Sequence, residues 1–96
     1  SLIYRRLMRW AIGSRDAALL NNLAWAYLQL GDAGKALAFA EAAYALSPNN
    51  ASVTATLGWA RHKAGNRKGA VAMLVKAHAL APADPAISRQ LAQARL

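Results

Sequence analysis

A spacing of 34 residues limits this chain more than any other feature. Aligned from residue 17, one set of positions reads Leu20, Leu23, Ala24, Tyr27, Gly31, Ala36, Ala40, Ala43 and Pro48. Adding 34 to each gives Thr54, Leu57, Gly58, Arg61, Gly65, Ala70, Leu74, Ala77 and Pro82, and a third copy opens at Pro85 with Leu91 and Ala92 in phase. Small residues, glycines and prolines recurring at fixed offsets are what a stack of like units needs. Such an array offers a surface to a partner and seldom houses chemistry.

Each recurring position has a physical task. Asp16, Asn50 and Asp84 precede the three apolar-periodic runs, where short polar side chains accept from the free amides of a helix start. Gly31 and Gly65 stand where a left-handed residue ends a helix without steric cost. Asp32 and Asn66 follow and can cap the next helix, while Pro48 and Pro82 close each unit. Ala24, Gly58 and Ala92, with Ala36 and Ala70, are placed where two helix backbones cross closely. The unit is helix, tight turn, helix.

These residues resemble the tetratricopeptide repeat, which has this period, small residues, a tyrosine and a closing proline at these offsets. The usual early tryptophan is replaced by Leu20 and Thr54, and Arg61 stands for the second tyrosine. The stretches Asn21-Asn22-Leu23-Ala24-Trp25 and Thr56-Leu57-Gly58-Trp59 also look like repeats of bacterial proteins from exopolysaccharide and PEP-CTERM/exosortase systems. The resemblance implies an all-α, right-handed helix-turn-helix solenoid. Six helices are expected near residues 2–12, 17–30, 34–46, 51–64, 68–80 and 85–95. Residues 17–50 and 51–84 form two repeats and 85–96 a half repeat. Residues 1–16 hold the degenerate second helix of a preceding unit, whose apolar stripe of Leu2, Ile3, Leu7, Met8, Ala11 and Ile12 fits the period after a shift of a residue or two. Gly13-Ser14 is its expected stop. The chain reads as a piece of a longer array.

Composition narrows the function. With 56% hydrophobic residues in a chain of 96, one domain of close-packed helices is expected. No apolar run is long enough to span a membrane. Without cysteine there is no disulfide, thiol nucleophile or thiolate metal site, and both cytoplasm and periplasm stay open. Net charge is +8, and three of the four acids (Asp16, Asp32 and Asp84) sit at caps, leaving Glu41 as the free one. Arg5, Arg6 and Arg9 cluster in the first helix, and Arg61, Lys63, Arg67 and Lys68 around the second repeat's turn. Such a surface either keeps the array soluble or attracts an anionic partner. Nucleic acid is disfavoured, since no aromatic-basic interleaving is present.

Catalysis and cofactors find no support. His62 and His78 fall on different helices without a third ligand, so no metal is expected. Serines 14, 47, 52 and 88 belong to turns and helix starts, outside any nucleophile motif. Gly31-Asp32-Ala33-Gly34 lacks the Lys-Ser/Thr of a phosphate loop.

The functional signal lies on the inner face. In the geometry that the resemblance implies, first helices line a groove with Ala18, Asn21, Trp25, Leu28 and Gln29, then Ser52, Ala55, Trp59, His62 and Lys63, then Ala86, Arg89 and Gln93. Trp25 and Trp59 are equivalent residues on adjacent helices, roughly 10 Å apart at helix-packing distance. The expected partner-binding set is Asn21, Trp25, Gln29, Trp59, His62, Lys63 and Arg89, holding an apolar segment with an acidic neighbour. The chaperone-tail carboxylate clamp is not matched, because its positions hold Asn21, Trp25, Thr56, Ala86 and Gln90. A protein scaffold without cofactor is the leading class, and an adaptor for an anionic polymer the alternative. The array ends, with Leu2, Ile3 and Leu7 at one and Ile87, Leu91 and Leu96 at the other, are expected to stay partly uncovered and to favour self-association.

Overall fold

Caps placed by the sequence set the helix boundaries. The computed structural model describes residues 1–96 as α1 (Leu2–Ser14), α2 (Ala17–Gln29), α3 (Ala33–Leu46), α4 (Ala51–Lys63), α5 (Arg67–Leu80) and α6 (Pro85–Ala94). Asp16, Asp32, Asn50, Asn66 and Asp84 each accept, through Oδ1, an amide N–H of the helix they open, at 2.9–3.1 Å. Each such cap is worth about 1 kcal/mol. Gly31 and Gly65 have φ of 79° and 89°. Beyond them, the Asp32 and Asn66 amides donate back to Tyr27 and Arg61 carbonyls, both at 2.9 Å. That closes α2 and α4 with the paired backbone bonds of a Schellman turn.

The helices form two layers. Inner helices α2, α4 and α6 contact one another in order, and each outer helix α3 and α5 packs between successive inner ones. The buried residues form two clusters. Leu20, Ala24, Phe39, Val53 and Leu57 belong to the first, and Leu74, Ala77, Ile87 and Leu91 to the second. Thr54 and Thr56, though polar, are buried with their hydroxyls donating to the Pro48 and Ser52 carbonyls. The Thr54 bond makes threonine admissible where the repeat usually holds tryptophan.

Three expectations need correction. The first concerns α1, which runs through Gly13 and Ser14 and ends at Arg15, a non-glycine residue with φ 52°. The Ser14 hydroxyl donates to the Ala11 carbonyl and the Arg15 amide to that of Ile12, which carries the helix past the glycine. The inward row of α1 is Tyr4, Leu7, Met8 and Ala11, whereas Leu2, Ile3 and Ile12 are exposed. That row matches Ala36, Phe39, Ala40 and Ala43 of α3 at an offset of 32 instead of 34. Losing two residues turns the helix by about half a turn, which moves the side chains that the 34-residue register would bury.

The second correction concerns α6. Ile87 and Leu91 are buried to 3% and 6% exposure against Ala70, Leu74 and Ala77, while Leu96 is open. The outer helix α5, with Ala55 of α4, covers the apolar row of this ten-residue helix. The third is Ala92, which is exposed because no second helix crosses it.

Ala36 and Ala70, by contrast, are wholly buried. Ala36→Leu or Ala70→Leu should cost roughly 1–3 kcal/mol by overpacking, read as a lowered denaturation midpoint. An unchanged midpoint would place the crossing elsewhere.

Aromatic packing attaches α1 to the body. Tyr4 meets Tyr27 and Phe39 edge-on at centroid distances of 5.8 and 5.9 Å, and Tyr27 stacks on Phe39 at 5.6 Å. The Lys35 ammonium, bridged to Asp32 at 3.5 Å, lies 4.9 Å over the Tyr4 ring. Burial pushes the Tyr4 phenol above its ordinary value, with Tyr27 and Asp32 adding to the effect. A phenol raised in the folded state contributes stability below its unfolded pKa near 10 and loses it as pH climbs through the folded value. Tyr4→Phe should therefore flatten the fall in stability above about pH 10, measured by denaturant titration. An identical alkaline profile would count against this.

Candidate functional site

The residues singled out from the sequence fall into two separate groups on the inner helices, with Gln29 and Arg89 in neither. At the α4 end, Trp59 and His62 lie one helical turn apart, so their rings meet at 4.7 Å with a 31° tilt. The Lys63 ammonium stands 5.0 Å over the Trp59 ring. Arg61, His62 and Lys63 together form the basic last turn of α4, a position that the helix dipole favours. Trp59 is half-buried, Lys63 exposed. This group offers an aromatic face rimmed by positive charge.

Trp25 belongs to a different setting. It lines a cleft of about 100 Å³ with Ser52, Ala55, Thr56, Asp84, Ala86, Ile87 and Gln90, so α2, α4 and α6 all contribute. The cleft forms because α6 begins at the Asp84 cap just where α4 presents small residues. One side-chain hydrogen bond crosses the layer, the Asn21 amide donating to Ser52 Oγ at 3.4 Å. Asn21 Oδ1 is buried without a donor. Gln29 and Arg89 are exposed and make no side-chain hydrogen bond within the chain.

The two tryptophans are thus not brought together: the ring partner of Trp59 is His62, and Trp25 instead walls the cleft. Ala55, expected to face the groove, lines the floor of the cleft beside Trp25 and is 5% exposed, packed with the second cluster. Leu28 is half-buried against the first cluster. Ser52 is expected on the groove, and Thr56 and Gln90 fall at clamp positions, but Asp84 and Ile87 are not expected to line a cleft. The pairing of Trp59 with His62 was legible as an i, i+3 spacing, whereas the cleft depends on three helices converging. His78, on α5, is half-buried with Nδ1 unpartnered, in keeping with a packing residue of the outer layer.

Charge is graded along the groove. Asp84 lies at the Trp25 end and Lys63 at the Trp59 end. Among twelve lysines and arginines, the one ion pair is Lys35 with Asp32; Arg67 donates to the Arg95 carbonyl and Lys76 to the Tyr44 hydroxyl, so most of the positive charge has no acidic partner.

With paired helices, glycine turns and an open inner face in place, the class is that of a helical-repeat binding protein. The model of the tetratricopeptide repeat matches residues 27–96, well over half of the chain. The protein belongs to the tetratricopeptide-repeat family, whose members generally mediate protein–protein interactions. The match is to the repeat in general and does not single out the exopolysaccharide-associated type. No curated protein matches the chain significantly.

Proposed function

We propose that the chain is a non-catalytic scaffold whose inner face binds an apolar peptide segment of a partner, with an acidic residue directed at the Trp59 end. The observation that carries this reading is the juxtaposition of an aromatic face under a cation, Trp59 with Lys63, and a small cleft walled by Trp25 on the same layer. A side chain entering the cleft would bury the exposed part of Trp25. A carboxylate two or three residues away would meet Lys63 or His62. Tryptophan is enriched among the residues that dominate binding energy.

The test uses peptides selected from a random library on the wild-type protein and remeasured on variants. Trp59→Ala should cost roughly 2 kcal/mol or more, about thirtyfold in Kd. Lys63→Ala should cost at most about 1 kcal/mol and lose its effect at high salt. Trp25→Ala should resemble Trp59→Ala. Selected peptides whose affinity ignores both tryptophans would defeat the proposal.

A second reading rests on the unpaired cations. Binding of an anionic polymer through Arg61, Lys63, Arg67 and Lys68 would weaken steeply as salt rises, while tryptophan dependence would be slight.

A further inference from the structure

The outer layer holds a larger cleft than the inner one. Ile12 and Arg15 from the end of α1, Leu20 beneath, and Ala42, Ala45 and Leu46 from α3 enclose about 260 Å³. Internal comparison explains why it exists. At the matching place between α3 and α5, the Lys76 ammonium donates to the Tyr44 hydroxyl at 2.7 Å and lies 4.8 Å over its ring, bridging the two helices. Moving back by 34 residues converts Lys76 into Ala42, and the offset of 32 that relates α1 to α3 converts Tyr44 into Ile12. The floor changes likewise, from Thr54 to Leu20. One inter-helix cleft is filled and polar, and its counterpart is open and apolar.

The mouth of the open cleft carries a specific charge. Arg15 is the one charged residue of its lining, and its backbone is held in the left-handed region. That conformation is the helix C-cap, with the Arg15 amide bonded to the Ile12 carbonyl, and it fixes the backbone from which the side chain leaves. Arg5, Arg6 and Arg9 are exposed on the same helix, which has no acid. Ile12 and Leu46 remain 47% and 42% exposed. An occupant must therefore be apolar at its tip and negative beside it.

We infer that this outer cleft between α1 and α3 is a second docking site, taking a large apolar side chain of an acidic peptide segment whose carboxylate pairs with Arg15. The site is on the opposite layer from the tryptophan groove and does not depend on it.

The probe is the peptide acetyl-Glu-Glu-Leu-Phe-Glu-Glu-amide, titrated into methyl-labelled protein and followed by NMR. Shifts should concentrate at the methyls of Ile12, Ala42, Ala45 and Leu46. Replacing the Leu-Phe of the probe by Ala-Ala should abolish them, and replacing its Glu by Lys should weaken binding. The Ile12→Tyr/Ala42→Lys protein, which restores the bridge found between α3 and α5, should lose at least about tenfold in affinity, the expectation for an apolar anchor worth over 1.4 kcal/mol. Its melting temperature should not fall. Arg15→Gln should lose up to about fivefold at low salt, with the difference closing at roughly 1 M salt. Trp25→Ala/Trp59→Ala should bind this probe unchanged.

Absence of shifts at the four cleft residues with millimolar probe would overturn the inference, and that readout on the unsubstituted protein stands even if the double variant folds poorly. Binding abolished by the tryptophan substitutions and indifferent to the bridge would also overturn it, while supporting the inner groove. Binding indifferent to the tryptophans but lost with the bridge supports the outer site without bearing on peptides selected for the groove.

Discussion

Phe39→Ala is expected to be the most damaging single truncation in this protein. Phe39 is fully buried and is the largest side chain in that state. It contacts Tyr4 of α1 edge-on and Tyr27 of α2 face-on, so three helices meet on one ring. Truncating a buried phenylalanine costs roughly 3–5 kcal/mol, through lost transfer energy and the cavity left behind. Aromatic partners add about 0.5–1.5 kcal/mol per pair beyond area burial. The neighbours here cannot collapse freely, because Ala36, Ala40 and Ala43 beside it are already small and fully covered. In a chain of this length each kcal/mol moves Tm by about 4–8 °C, so a fall of more than about 12 °C is expected. The loss should be uneven. Since α1 is tied to the body chiefly through Tyr4, Leu7, Met8 and Ala11, its amides should gain exchange more than those of α5 and α6. A uniform rise in exchange, or a Tm within 5 °C of wild type, would show that the aromatic group does not anchor α1.

That anchorage also marks where the sequence was readable and where it was not. The caps Asp16, Asp32, Asn50, Asn66 and Asp84 and the turn glycines Gly31 and Gly65 act within a few residues of themselves. Local chemistry of that kind can be read directly, and it fixes helix number, order and boundaries. The phase of α1 could not be read the same way. Its apolar stripe is wide, reaching from Ile3 past Tyr4 to Ile12, and only contact with Phe39 and Tyr27 selects Tyr4 over Ile3 for burial. Ile87 and Leu91 illustrate the same limit, since their cover comes from Leu74 and Ala77 on a different helix. At the groove, Trp59 and His62 are neighbours by helical spacing alone, while the cleft beside Trp25 requires the start of α6 to reach α4. Tertiary convergence, not periodicity, creates that part of the site.

Gly58→Val should produce the second large loss, by a mechanism that a partner substitution can undo. A Cβ at Gly58 would meet Leu74 Cγ at 2.8 Å, Met73 Cβ at 3.1 Å and the Ala70 carbonyl oxygen at 3.2 Å. The backbone oxygen cannot swing aside, so α4 and α5 would have to part. One added methyl gains about 1 kcal/mol of helix propensity over glycine, which offsets part of the overlap in Gly58→Ala. Valine adds two further carbons and gains less propensity, so overpacking at the upper end of the usual range is expected, roughly 3 kcal/mol. The first repeat shows how the crossing tolerates a Cβ. There the equivalents of Gly58 and Leu74 are Ala24 and Ala40, both fully buried, so a larger residue on one helix accompanies a smaller one on the other. Leu74→Ala alone should cost about 2–5 kcal/mol by leaving a cavity. Combined with Gly58→Val it should remove the tightest overlap and fill part of that cavity. The double variant should then lose less than the sum of the single variants by more than about 1 kcal/mol, within the range for residues in direct contact. Denaturant unfolding of the four proteins measures the coupling. Strict additivity would mean that Gly58 is glycine for a reason other than the approach of Leu74.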